Sequence, residues 1–200
     1  MDYIEVLDFW FGDAEIPSPN EEVKALWFDG VNSADNTIRE RFLPHVSMAG
    51  EGKLSQWLSS PEGALAHIIL LDQFSRNIYR GLSAAFRYDD FALALCKRGM
   101  ASAQDMALVP VQRAFFYMPL QHSEYLEDQE ESLFRFSQLC DEVSENDEAG
   151  LLENFYRHAR SHYDVVKRFG RFPHRNAALG RLSTEEELQW LADGGARFKQ

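Results

Sequence analysis

Between Pro61 and Gly81 the chain reads Pro-Glu-Gly-Ala-Leu-Ala-His-Ile-Ile-Leu-Leu-Asp-Gln-Phe-Ser-Arg-Asn-Ile-Tyr-Arg-Gly. Leu65, Ile68, Ile69, Leu70, Leu71, Phe74 and Ile78 cover so wide an arc of a helix that no surface position can hide them, and a helix of this kind must be central. Pro61 suits its first turn and Gly81 its stop. The same helix carries Asp72 and Arg76 four positions apart, Gln73 and Asn77 four apart, and Arg80 beyond them. At a solvated rim such an ion pair contributes only about 0.3–0.5 kcal/mol. On a central helix the same charges are carried inward, where they require partners. The spacing therefore leaves two readings: a rim pair, or an inward network or ligand site.

The rest of the chain is also helical in pattern, and no segment alternates apolar and polar residues between hairpin turns. Tyr3 to Phe11 forms a first helix, and Asn20 caps a second through about Phe28. Ser33 or Asp35 caps a third with an Ile38, Phe42 and Val46 stripe, kinked or shortened by Pro44. Ser83 caps the next, running to Gly99; Pro110 opens a segment that Pro119 ends; Leu126 to Cys140 is amphipathic. The acidic run Asp141 to Glu148 reads as a solvated connection before a long helix from Leu151 to Phe169. Ser183 with Glu186, and Thr184 with Glu187, offer two overlapping capping boxes before Leu188. Short connections favour adjacent helices pairing as hairpins, and no period of about 34 or 40 residues repeats. The expectation is one all-α domain over residues 1–200, a compact layered bundle or short superhelix.

With 200 residues, 45% of them hydrophobic, the chain can bury a sizeable core. A formal charge of −12 disfavours nucleic acid and anionic membrane as partners. The charge is uneven: between Phe155 and Arg181 seven basic side chains face the single acid Asp164. Such an island can focus a small anion, or neutralise the acidic helices packed against it. Cys96 and Cys140 lack a metal-ligand spacing and read as reduced thiols. The opening residues lack the pattern of a signal peptide and no stretch approaches the ~20 apolar residues of a membrane span, so a cytoplasmic protein is expected.

Three polar constellations stand out. In Arg168-Phe-Gly-Arg-Phe-Pro-His-Arg-Asn176, Gly170 suits a left-handed helix end and Pro173 forbids continuation. Arg171, His174, Arg175 and Asn176 are thus projected from an irregular turn, with Arg168 just before it. His158 and His162 share one face of the preceding helix with Phe155 and Phe169 and should point inward. Their spacing suits a metal, but His-Ala-Arg-Ser-His lacks the glutamate of the HExxH motif, so core or acid/base histidines are the stronger reading and no metal or cofactor is required. In Tyr117-Met-Pro-Leu-Gln-His-Ser-Glu124, Ser123 and Glu124 suit a helix start while His122 stays free. Three successive side chains cannot converge as a nucleophilic triad. Base stacking by Arg-Phe-Gly-Arg-Phe is disfavoured because the helix face needs Phe169 and the molecule is acidic.

Leu71-Asp-Gln-Phe-Ser-Arg-Asn-Ile-Tyr-Arg-Gly81, Tyr117-Met-Pro-Leu-Gln-His-Ser-Glu124 and Arg168-Phe-Gly-Arg-Phe-Pro-His-Arg-Asn176, with Val6-Leu-Asp-Phe-Trp-Phe-Gly12, Phe86-Arg-Tyr-Asp89 and Gly180-Arg-Leu-Ser-Thr-Glu185, closely resemble an uncharacterised, largely bacterial family catalogued as domain of unknown function 924, nearly end to end. The resemblance implies a fold similar to tetratricopeptide-type helical hairpins and no established activity. The family pattern commonly has proline at Ser75 and glutamate at Gln121, so a charge-based role for position 121 does not carry over.

The leading expectation is an interior cleft that binds, and acts on, a small anionic phosphate or carboxylate compound. Arg76, Arg168, Arg171 and Arg175 are candidate clamps, because a guanidinium makes paired bonds to such groups. Gln73, Asn77, His174 and Asn176 are further ligand contacts, and His122, Glu124, His158, His162 and Asp72 are candidate acid/base groups. The alternatives are a noncatalytic module docking a peptide in a helical groove, and polar motifs that only lock helices together. The sequence sets no oligomeric state.

Overall fold

The computed structural model describes residues 2–12, 19–28, 33–143 and 149–198. Among these the protein is all-helical, with no strand, and no helix is long and apolar enough to cross a membrane. Helix α1 (Tyr3–Phe11) and α2 (Glu21–Phe28) form where predicted, and Asn20 caps α2 by accepting from the Val23 amide at 2.9 Å. Helix α3 (Ser33–Gly50) runs on through Pro44. Pro44 does not shorten it, because Ile38, Phe42, Val46 and Ala49 are all fully buried on one face and outweigh one lost hydrogen bond. Asp35, instead of capping α3, lies in its first turn and binds Asn77 and Arg80.

The apolar helix is central, but it is not one regular α-helix. It comprises α4 (Pro61–Ile68), a π-helical segment from Ile69 to Phe74, and α5 (Ser75–Ile78). The Ser60 hydroxyl caps it by accepting from the Gly63 amide at 3.1 Å. The π turn widens the helix where Asp72 sits, a feature that recurs at functional sites. Ser83 does not cap the following helix; it belongs to a single 3-10 turn, and α6 (Asp89–Ala101) starts six residues later. Helix α7 (Pro110–His122) continues past Pro119, so Gln121 and His122 close a buried helix instead of opening the next. Helices α8 (Leu126–Glu142) and α9 (Ala149–Phe169) pack on each other and on α7. Part of the expected acidic connection, 144–148, lies outside the described residues, as do 13–18 of the first break. Gly170 takes the left-handed conformation predicted for it (φ +68°), its amide donating to Val166. Of the two capping boxes, Thr184 with Glu187 forms, starting α10 (Glu185–Ala192).

One chain of aromatic contacts ties the elements together. Phe42 of α3 meets Phe74 at 4.7 Å between ring centres, Phe74 meets Trp10 of α1 at 5.5 Å, Trp10 meets Phe115 of α7 at 5.5 Å, and Phe115 meets Phe155 of α9 at 5.4 Å. A smaller cluster of Val165, Val166 and Phe172, with Phe169, Trp190 and Phe198 against it, holds the segment after α9. At the α6–α7 crossing, a Cβ on Gly99 would stand 2.3 Å from the fully buried Phe116 ring. Gly99→Ala should therefore force that ring to move and cost about 1–3 kcal/mol by urea denaturation, although alanine favours helix over glycine.

Candidate functional site

The π turn and the last turn of α7 bring two residues fifty positions apart into contact. His122 Nδ1 lies 2.8 Å from Asp72 Oδ1 and 3.0 Å from Oδ2. Asp72 also accepts from Gln73 Nε2 at 2.5 Å and pairs with Arg76 Nη1 at 3.0 Å. Arg76 reaches across to Asp89 at the start of α6 with both terminal nitrogens, each at 2.9 Å. Burial alone would raise the Asp72 carboxyl, but the guanidinium of Arg76, His122 and the Gln73 amide together hold it well below the usual carboxylate range. Burial pushes the His122 imidazole the other way, below the ordinary histidine value, with Asp72 opposing and Arg76 and Arg175 reinforcing that shift. The stable state at neutral pH is thus an ionised aspartate beside a neutral imidazole. A carboxylate can only accept, so Nδ1 of His122 carries the proton and Nε2 presents a lone pair.

The Arg168–Asn176 turn does meet this cluster, through one residue. Arg175 Nη1 donates to the His122 carbonyl at 2.9 Å and stands 3.6 Å from Asp89, and its guanidinium lies over the rings of Phe86 and Phe172. Burial and the nearby Arg76 bring its pKa down to about 9. The other polar residues of the turn belong to a second network. Arg171 pairs with buried Glu187 through Nε at 2.6 Å and Nη2 at 2.8 Å; Asn176 donates to Glu187 and Ser183; Glu124 accepts from Arg181 at 2.6 and 2.9 Å and from the Phe172 amide at 2.7 Å. Arg168 pairs with Glu186 at the exposed surface, and the His174 ring packs beside Phe172 and Phe198.

A cavity of about 580 Å³ opens beside the Asp72–His122 pair, within the range typical of small-molecule sites. Its lining combines apolar residues, Trp10, Trp27, Phe28, Phe115, Met118 and Phe155, with polar ones, Gln73, Arg76, Asn77, Gln121, His122 and His162. Arg80, Asn154, His158, Ser161 and Arg197 complete it, with Phe198 stacked on the face of His162 at 3.6 Å. Among the described residues that line it there is no carboxylate. A larger hollow of about 850 Å³ beside α1, α2 and α3 is lined by Glu5, Asp8, Glu22 and Asp35, with Arg41 and Arg80, and by no histidine.

Asp72, Gln73, Arg76, Asn77, His122 and His162 of the sequence candidates thus converge on this cavity or directly behind it. His158 lines it from an exposed position, stacked on Phe28, whereas the helix stripe predicted an interior side chain. The stripe drifts because a helix turns by 3.6 residues and not by four. Sequence reasoning missed Asp89, Gln121, Phe198 and the aromatic wall. Only Asp89 carried a signal, in the Phe86-Arg-Tyr-Asp89 motif. No cluster of three or more metal-ligating side chains occurs among the described residues.

The buried imidazoles set a pH dependence. Burial lowers the pKa of His67, His122 and His162 below the ordinary 6.5, His162 furthest. Below about pH 6.5 the unfolded chain takes up protons that the native state resists, so stability should fall on acidification through this window. Asp35, Asp72, Glu124 and Glu187 are held low by their arginines, so their contributions disappear only at more acid pH. Urea midpoints at about pH 7.5 and about pH 5.5 check this, and the loss should be smaller in His162→Phe.

These features define a class: an all-α protein with an interior aspartate–histidine pair set against an aromatic-walled cavity. The chain belongs to the family described as bacterial protein of unknown function (DUF924), which matches residues 6–195. It is also similar to the solved structure of a protein of unknown function, ATU0120, from Agrobacterium tumefaciens, with 33% identity, 96% of this chain and 97% of that chain covered, and a TM-score of 0.76. No curated protein of assigned function matches.

Proposed function

We propose that the cavity binds a small anionic molecule with an apolar body, and that the Asp72–His122 pair acts on it as a general base. The observation that carries this reading is the pairing itself: His122 lines the cavity with Nδ1 committed to a buried, ionised aspartate. In such a pair the aspartate fixes the tautomer and stabilises the imidazolium formed when Nε2 accepts a proton. Arg76, Arg80 and Arg197 line the cavity, the first two already paired with Asp72, Asp89 and Asp35; their remaining donors favour an anion over a cation, and the aromatic residues of the lining favour an apolar portion. Arg168 and Arg171 take no part in this reading, because they lie outside the cavity, paired with Glu186 and Glu187.

The test is a thermal-shift screen of phosphorylated and carboxylated small molecules against the wild type and against His122→Asn and Arg80→Met. Stabilisation that Arg80→Met weakens supports the anion site, and turnover of a hit that His122→Asn abolishes supports the base. Equal responses from all three proteins reject both roles. A second reading, that the polar motifs are structural, is favoured for the Glu124–Arg181–Asn176–Glu187 network, whose groups bind one another. A peptide-docking groove of tetratricopeptide type has no such supporting contact.

A further inference from the structure

Four residues that line this cavity each carry a buried polar atom that makes no hydrogen bond: Trp10 Nε1, Arg76 Nε, Gln121 Oε1 and His162 Nε2. A buried polar group without a partner costs free energy, and four of them on one surface mark where a ligand's own polar groups belong. Their chemistry divides cleanly. Trp10 Nε1 and Arg76 Nε can only donate. His162 places Nδ1 2.8 Å from the His158 carbonyl, which can only accept, so Nδ1 carries the ring proton and Nε2 is a bare acceptor. Phe198 covers the face of that ring and leaves its in-plane lone pair untouched. Nε2 of His122 is a second bare acceptor by the same logic, and with Gln121 Oε1 in its present orientation the wall presents three acceptors and two donors.

A plain anion satisfies the donors and leaves the acceptors unmet. We propose that the ligand is a small carboxylic acid that also bears a hydroxyl group, its carboxylate taken by the donors Arg76 Nε and Trp10 Nε1 and its hydroxyl donated to the imidazole acceptors of His122 and His162. An ammonium group in place of the hydroxyl would also donate, but the arginines that line or back the cavity, Arg76, Arg80, Arg175 and Arg197, outnumber the carboxylates bound to them, Asp35, Asp72 and Asp89, so the balance of charge favours a neutral donor over a cation. Placing the hydroxyl at His122 Nε2 also gives the base of the preceding section a proton to accept. The inference rests on that reading of the cavity as an anion site and extends it to the second functional group.

Isothermal titration tests it with lactate, 2-hydroxyisocaproate and 3-phenyllactate, each beside its deoxy acid, its amino acid and the alcohol lacking the carboxylate. At least one hydroxy acid should bind about tenfold or more tightly than its deoxy and amino counterparts, because a site built to bond a hydroxyl discriminates strongly against its absence. In His162→Phe that preference should shrink while affinity for the deoxy acid is kept; Gln121→Leu, which removes the amide, serves as the second variant should His162→Phe fail to fold. Deoxy acids binding as tightly as hydroxy acids would overturn the hydroxyl assignment and leave the anion site standing. Alcohols binding as tightly as hydroxy acids would overturn the anion site itself. Binding of no member of the panel at millimolar concentration would overturn the proposal.

Discussion

Replacing Arg76 by methionine should destabilise the protein by about 3–5 kcal/mol, the scale on which removal of one partner strands a buried charge. Arg76 is the shared cation of Asp72 and Asp89, and only 8% of its side chain is exposed. Methionine fills most of the volume, so the loss reports charge and not packing. Urea denaturation measures it, with Arg168→Met as the contrast: that side chain is half exposed in its pair with Glu186 and should change stability by less than about 0.5 kcal/mol. A loss below about 1 kcal/mol at Arg76 would mean that Asp72 is neutralised by protonation in the variant. In that event the ionised aspartate assigned to the native protein depends on this single guanidinium.

Phe115→Ala should cost a similar amount, about 3–5 kcal/mol, for an unrelated reason. The ring is 1% exposed and meets Trp10, Phe11, Trp27 and Phe155, so truncation removes contacts with three helices at once. It also forms part of the cavity wall, and the space it leaves is continuous with that cavity. The variant should therefore accept ligands with a larger apolar body than the wild type does, read as a shift in preference along a series of lengthened acids. If stability falls and the preference stays fixed, Phe115 is a core residue whose edge happens to face the cavity.

As one of two readings, beside a rim pair, the inward position of Asp72 and Arg76 was legible, because the apolar residues around them leave a helix little exposed side. Their partners were not. His122 lies fifty positions away, and its approach depends on α7 continuing through Pro119, against the local rule that proline ends a helix. The π turn leaves no mark in the pattern, since its extra residue per turn is accommodated by packing on α3 and α6. Of the arginines around the turn, spacing alone gave no means to separate Arg175, drawn inward between Phe86 and Phe172, from Arg171, held by Glu187. Gln121 shows the same limit from the other side. As an uncharged residue beside a histidine it carried no signal, and only the geometry reveals its unpartnered carbonyl.

The cavity wall draws on residues from Trp10 to Phe198, a span of nearly the whole sequence. During synthesis at ~5–20 residues per second, Trp10 and Trp27 leave the ribosome about 10–40 s before Phe198 does. Over that interval the rings that will line the finished site have no complete set of neighbours and present a sticky apolar surface. The cavity therefore closes only once nearly all of these 200 residues have been made, and until then the nascent chain is exposed to aggregation at the rings that will line it.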